Sequence, residues 1–157
     1  MLRDDKWLFQ LFDDVWDTFF PDVPQENDVK IVWGRKARRR LGSIKHGEKR
    51  HGEHPQTIIT INSLFKDPFI PDYIVTATIA HELAHYAHGF GSPLERKFDK
   101  PHEGGVVHKE LENRGVNKLE KMQKKWLKEN WTDYLNKKMP QKTSIRRMKR
   151  KILFKWI

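Results

Sequence analysis

A mixed α+β fold is predicted by two features of the sequence. Apolar residues recur at three- and four-residue spacing near the N-terminus and again after about residue 71, which indicates helices. Between these segments lie short runs rich in Val, Ile and Thr, which favour strands. With 157 residues, of which 37% are hydrophobic, the chain is long enough for one domain with a real core.

The first half of the chain contains one predicted helix and three predicted strands. The helix covers residues 5–20 and ends at Pro21. Its apolar side consists of Leu8, Leu11, Phe12, Val15, Trp16 and Phe19. The strands cover 29–33, 38–47 and 57–62, and together they predict a small antiparallel sheet with one basic surface.

The second half changes from strand to helix spacing. A helix is predicted over about 71–88, because Pro71 suits a first helical turn and Gly89 suits a helix end. A loop over 92–105 follows. A further helix is predicted from Val106, with a break near Gly115, through about Asn136. These elements predict one domain over 1–139 and a basic tail over 140–157.

Composition excludes several classes of protein. The chain has no cysteine, so disulfides, thiolate zinc sites and cysteine nucleophiles are excluded. Any transition metal must therefore be held by histidines and carboxylates. No apolar run approaches the roughly 20 residues that a membrane span needs, and the acidic N-terminus is unlike a signal peptide. A cytoplasmic location without membrane association is the expectation.

Positive charge is concentrated in particular segments of the chain. The net charge is +10, and residues 137–157 carry nine Lys and Arg without an acid. The segment 35–40, RKARRR, adds a second basic run. Clustered positive charge favours a polyanion, so a nucleic acid is the expected partner, bound through 35–40 and 137–155. The alternative for 35–40 is a solvated strand edge that protects the sheet from aggregation.

The stretch HELAHYAHGFG, residues 81–91, has the spacing of a metal-binding helix. His81 and His85 are one helical turn apart, so both side chains project from one face. Two imidazoles so placed can bind one divalent ion, and Glu82 beside them can take a proton from a water at the metal. The rest of the helix is apolar, so these polar side chains need partners. Metal ligation explains all three side chains at once.

A catalytic zinc usually has a third protein ligand, and several residues are poor candidates for it. His88 lies three residues after His85 on continuing helix, so its side chain points beside the metal. Metzincins use a histidine six residues after the second one, and that position is Gly91 here. A gluzincin would use a glutamate of a later helix, for which Glu110 or Glu112 could serve.

The remaining candidates for the third ligand are His102 and His108. His102 lies at the end of the loop, between Pro101 and the pair Gly104 and Gly105. These neighbours give the backbone freedom to return toward the first two histidines. His102 is therefore preferred. His108 lies in the first turns of the next helix and can also reach, so it stays open as the alternative.

Three segments in this order resemble the SprT-like family of zincin metalloproteases, which includes Spartan. The first is VWGRKARRRLGSIK, which is similar to the strand pair before the family's active helix. The second is TIITINSLFKDPFIPDYIVTATIAHELAHYAHG, which is similar to its strand and HExxH helix. The third, PHEGG, resembles the downstream element with the third histidine. The resemblance covers roughly residues 29–115.

The resemblance implies a zincin-like fold and a zinc-dependent endopeptidase. His81, His85 and His102 would match the zinc ligands, and Glu82 the catalytic glutamate. Spartan-type members cleave proteins that are bound or crosslinked to DNA, so such proteins are the implied substrates. Here the third element reads HEGGVV where the family has HGxxF, which keeps His108 as the alternative ligand. The competing interpretation is a nucleic-acid-binding module with a structural zinc and no proteolysis.

Overall fold

A computed structural model describes residues 1–49 and 54–140 and shows a mixed α+β protein. The main elements are α1 (Asp5–Phe19), β1 (Val29–Trp33), β2 (Gly42–His46), β3 (Thr57–Ile61), α2 (Asp72–Ala87), α3 (Val106–Asn113), α4 (Asn117–Trp126) and α5 (Thr132–Lys138). Short 3-10 turns lie at Ser63–Lys66 and Glu103–Gly105, and a π-helical turn covers Leu127–Trp131. The predicted tail beyond Pro140 lies outside the described residues. In the described part of the chain, every helix is too short or too polar to cross a membrane.

The three strands form one sheet in the order β1-β3-β2. β3 pairs with β1 in parallel and with β2 in antiparallel orientation. The prediction of an antiparallel sheet is therefore wrong, because the sheet is mixed. β3 buries Thr57, Ile59 and Ile61 and occupies the centre. The link 34–41 between β1 and β2 is long enough to span the roughly 10 Å that an intervening strand requires.

Helices cover one face of this sheet. Ile31, Ile59 and Ile61 are buried on that face. The opposite face carries Thr60 and its neighbours in register, and these residues are half-buried or exposed. The molecule therefore has a two-layer arrangement in its sheet region, with one sheet face facing outward.

α1 begins at a side-chain cap, where Trp7 N–H donates to Asp4 Oδ1 at 2.8 Å. The helix buries Leu8, Phe12 and Val15 and contacts both β1 and α2. Pro21 follows the end of the helix, as predicted.

α2 is the central helix of this region. Most of its side chains are buried, including the fully buried Ile74, Val75 and Ile79. Burial of each such side chain stabilises the fold by about 1.5 to 3 kcal/mol. α2 contacts α1, α3, β2 and β3. These contacts fix the position of the helix and therefore of the side chains in its last two turns.

The chain divides into two compact units, residues 1–124 and 125–157. The predicted boundary between residues 139 and 140 falls inside the second unit. Within the described part of this unit, the rings of Trp131 and Tyr134 stack with centroids 5.6 Å apart. All the residues of the candidate site belong to the first unit.

Candidate metal centre

Three histidines converge at the end of α2. The Nε2 atoms of His81 and His85 are 3.1 Å apart, and they lie 3.3 and 3.2 Å from the Nε2 atom of His102. Two nitrogen ligands of a tetrahedral zinc, each about 2.05 Å from the metal, are about 3.3 Å apart. The triangle therefore has dimensions that fit three nitrogen ligands of one metal ion, and these histidines lie close enough together to bind a metal.

A tight turn after α2 allows His102 to return to this position. Gly89 has a φ of +83°, and a Cβ there would lie 2.5 Å from the carbonyl oxygen of Glu95. Only glycine fits this turn without strain. The loop is then held against the helix end, because Ser92 Oγ donates to Tyr86 O at 2.7 Å and Lys97 N–H donates to His88 O at 3.0 Å.

Burial keeps the two helical histidines neutral. Desolvation, followed by the charge of His102, lowers the pKa of His81 to about 4. Desolvation, followed by the charges of His81 and His102, lowers the pKa of His85 to about 3. Near neutral pH both rings therefore have a free nitrogen lone pair, which is the form that binds a metal.

Glu82 is buried beside the histidines and opens onto a cleft. Only 5% of its surface is exposed, and desolvation raises its pKa to about 8 against the opposing charge of Arg40. The cleft has a volume of about 270 Å³. It is lined by Arg39, Arg40, Leu41, Gly42, Thr78, His81, Glu82 and Gln123. The carboxyl group that can exchange a proton near neutral pH therefore shares a cavity with a candidate ligand.

The other predicted candidates lie outside the triangle. His108 Nδ1 is hydrogen-bonded to Glu120 Oε1 of α4. His88 Nε2 lies 3.4 Å from Glu110 Oε1. Over residues 1–49 and 54–140, the group of three His, Asp or Glu side chains close enough to hold a metal consists of His81, His85 and His102.

Two contributors to the cleft were missed by sequence reasoning. A Cβ on Gly42 would lie 3.2 Å from Glu82 Oε1 and 2.8 Å from Thr78 Cγ2, so the backbone of β2 runs directly beside the carboxyl group. Gln123 Nε2 donates to Thr78 Oγ1 at 2.9 Å and to Ile74 O at 3.0 Å, which joins α4 to α2. A glycine inside a strand was the available signal for a close approach.

The predicted basic segment 35–40 lies in the irregular link between β1 and β2. Arg39 and Arg40 line the cleft, and Arg40 is close enough to lower the pKa of Glu82. The link therefore brings positive charge to the edge of the candidate metal centre.

Comparison of the chain with protein-family models, with curated proteins and with solved structures finds no match.

Proposed function

We propose that this protein is a zinc-dependent endopeptidase with a zincin-like fold, as its resemblance to the SprT-like family implies. The observation that carries the proposal is the triangle of His81, His85 and His102 Nε2 atoms with Glu82 in the adjoining cleft. Three nitrogen ligands leave one tetrahedral position open, which is typical of catalytic zinc sites.

The residues of the centre have separate roles in this mechanism. His81, His85 and His102 would hold the zinc, which when bound supplies Lewis-acid polarisation of a peptide carbonyl and of water. Glu82 accepts the proton of the attacking water and passes it to the departing amine. The pKa near 8 belongs to the metal-free protein, and a bound zinc would lower it, because a nearby cation stabilises the carboxylate that accepts the proton.

The position of β2 supports an extended polypeptide as the substrate. β2 is an edge strand that, over the described residues, pairs with β3 alone. Its first residue, Gly42, lies beside the Glu82 carboxyl group. A flexible segment can add to such an edge through main-chain hydrogen bonds, which would align a peptide bond with the centre.

Association of the substrate with DNA is implied by the resemblance to Spartan-type proteases, and the clustered positive charge of the chain fits it. This charge lies in segments 35–40 and 137–155, and most of the second segment lies outside the described residues. We propose that the natural substrates are proteins bound or crosslinked to DNA, and that DNA brings them to the enzyme through its basic segments.

The test is proteolysis by the zinc-loaded full chain and by its Glu82→Gln variant. The substrates are β-casein, as a flexible protein, and a histone with or without single-stranded or duplex DNA. The variant should retain its zinc and lose at least about 100-fold in cleavage rate, because the proton acceptor is gone. Cleavage at the wild-type rate by Glu82→Gln would contradict the assigned role.

A second control separates the enzyme from the competing interpretation. Zinc content is measured by elemental analysis in parallel with the assay. Zinc bound at about one ion per chain without cleavage of any of these substrates, with DNA or without, would overturn the proposal in favour of a structural zinc in a nucleic-acid-binding module.

A further inference from the structure

A second cavity, of about 530 Å³, adjoins the metal cleft. The two cavities share Arg40, Leu41 and Gly42 in their walls. The second is lined by Gly34, Arg35, Lys36, Ala37, Arg40, Leu41, Gly42, Ser43, Lys45, Thr60 and Asn62. Four of these side chains are cationic and none is acidic. We call this cavity the basic pocket.

The four cations of the basic pocket are available to a ligand. Arg35, Lys36, Arg40 and Lys45 are all exposed. None of them forms a salt bridge with a side chain of the described residues. Their charges therefore add together at one concave surface, which attracts a group with negative charge.

The loop that carries three of these cations is fixed by one buried side chain. Asn62 is 3% exposed, and its Nδ2 donates to Ala37 O at 2.7 Å and to Arg40 O at 3.0 Å. Its Oδ1 accepts from Ala37 N–H at 3.4 Å and from Leu64 N–H at 3.0 Å, and its own N–H donates to Leu41 O at 2.9 Å. The backbone of the loop is therefore ordered before a ligand binds, which lowers the entropy cost of binding.

The pocket wall includes the outward face of the sheet. Ser43 pairs in register with Thr60, and Lys45 pairs with Ile58 on the same face. A peptide strand added to the edge of β2 would place alternate side chains on the two faces of the sheet. One set would face the layer that contains α2, and the other set would lie on the face that carries Ser43 and Lys45.

The lining favours carboxylates over single-stranded nucleic acid as the occupant, which leaves Arg39 and the segment 137–155 for the proposed contact with DNA. Surfaces that bind single-stranded nucleic acid combine positive charge with aromatic side chains on which bases stack. No aromatic residue is among those that line the basic pocket. Nearby Trp33 already stacks on Trp7, with ring centroids 6.4 Å apart. The pocket therefore offers cations and polar groups without a stacking surface.

We infer that the basic pocket is a substrate subsite that selects acidic side chains at alternate positions of a polypeptide lying along β2. The inference rests on the proposed function, because it assumes that the polypeptide continues into the metal cleft. It goes further by assigning a substrate preference to Arg35, Lys36, Arg40 and Lys45.

Binding is tested apart from catalysis, with the zinc-loaded Glu82→Gln full chain and two labelled peptides. The peptides are equal in length, and one has Glu at alternate positions where the other has Gln. Fluorescence anisotropy should show the Glu peptide binding about fivefold to tenfold more tightly at low salt, since each exposed charge pair contributes modestly. The difference should shrink as salt screens the charges.

The double substitution Lys36→Gln and Lys45→Gln tests the location of the site. It should remove most of the preference for Glu and leave the affinity for the Gln peptide unchanged. The matched control is Lys30→Gln, an exposed strand lysine outside the pocket lining, which should leave the preference intact. Circular dichroism and thermal unfolding of each variant show whether the fold is retained.

The results separate this inference from the proposed function. Equal binding of both peptides, or a preference for Glu that survives in the double variant, overturns the inference. So does an oligothymidylate of the same net charge that binds more tightly than the Glu peptide and is weakened by the same double substitution.

Cleavage of the Gln peptide by the wild-type enzyme, absent in Glu82→Gln, tests the proposed function independently. Cleavage without a Glu preference overturns the inference alone. A Glu preference in binding without cleavage overturns the proposed function and leaves an acidic-peptide site.

Discussion

The metal centre and the basic pocket adjoin each other but are built in opposite ways. The centre projects from a helix whose side chains are almost all buried, and burial keeps His81 and His85 neutral. The pocket is carried by an irregular link with exposed, charged side chains, and its backbone is fixed by Asn62. At the centre, desolvation controls the protonation of the side chains. At the pocket, the summed charge of exposed side chains controls which ligands are attracted.

This difference predicts different responses to mutation. At the centre, loss of one side chain removes a ligand or leaves a buried polar group, and the effect should be large. At the pocket, loss of one cation among several should change affinity only modestly, since exposed charge pairs are weak individually. The expected effects decrease from the largest, at the centre, to the smallest, at the link that carries the pocket.

The largest effect is expected from removing a ligand of the metal centre. His85→Ala or His102→Ala should reduce zinc from about one ion per chain to a small fraction of that after dialysis against a weak chelator. Elemental analysis measures the metal. His108→Ala is the matched control and should keep the zinc, because His108 is bonded to Glu120 outside the triangle. Zinc lost from His108→Ala but kept by His102→Ala would contradict the assignment.

The next effect concerns the stability of the metal-free protein as a function of pH. In the folded protein the pKa of Glu82 is raised to about 8. The buried carboxyl group therefore contributes its full stabilisation of the folded state below about pH 4.5, and this stabilisation is lost as the pH rises toward 8. The folded pKa values of His81 and His85 are lowered to about 4 and 3, so their contribution is present above about 6.5 and is lost as pH falls. Between about pH 4.5 and 6.5 the two histidines outweigh the one glutamate, so metal-free protein should be most stable near about pH 6.5.

The substitution Glu82→Gln isolates the alkaline side of this profile. Relative to wild type, the metal-free variant should gain on the order of 4 kcal/mol in unfolding free energy between about pH 4.5 and pH 8. Urea unfolding at a series of pH values measures the gain. Bound zinc should reduce this gain in unfolding free energy, because a cation stabilises the carboxylate of the wild-type protein. Glu112→Gln, on the exposed side of α3, is the control. An equal gain in unfolding free energy for this variant would show that burial of Glu82 is not the cause.

A smaller effect is expected from Asn62→Ala. The substitution removes four side-chain hydrogen bonds that fix the link and the following turn, so it should lower the free energy of unfolding by about 2 to 3 kcal/mol. Chemical denaturation measures the loss, and Asn113→Ala, at an exposed position of α3, should change stability little. Unchanged stability of Asn62→Ala would show that the link does not depend on this side chain.

The helices were predictable because their signals are local. The predicted span 71–88 agrees with α2 at Asp72–Ala87, and the predicted break near Gly115 falls between α3 and α4. Apolar spacing reports which helical face is buried, and proline and glycine mark the ends. The strands also appear near their predicted positions, because β-branched runs are equally local.

The order of the strands was not predictable in the same way. β1 and β2 are neighbours in sequence, and a pairing between them was the simplest expectation. β3 lies between them instead, because it buries Ile59 and Ile61 and contacts both neighbours. Pairing is a competition among all strands for burial and main-chain hydrogen bonds, and a single strand's sequence does not contain its outcome.

By itself, the sequence determined that His81 and His85 share one helical face with Glu82 beside them, since the helical repeat fixes the directions of residues one turn apart. Only the tertiary structure decided that His102, and not His108, completes the triangle. That choice depends on the turn at Gly89 and on the bonds that hold the loop to the end of α2. The Asn62 contacts that shape the basic pocket likewise join residues far apart in sequence, and such contacts form only when the whole chain has packed.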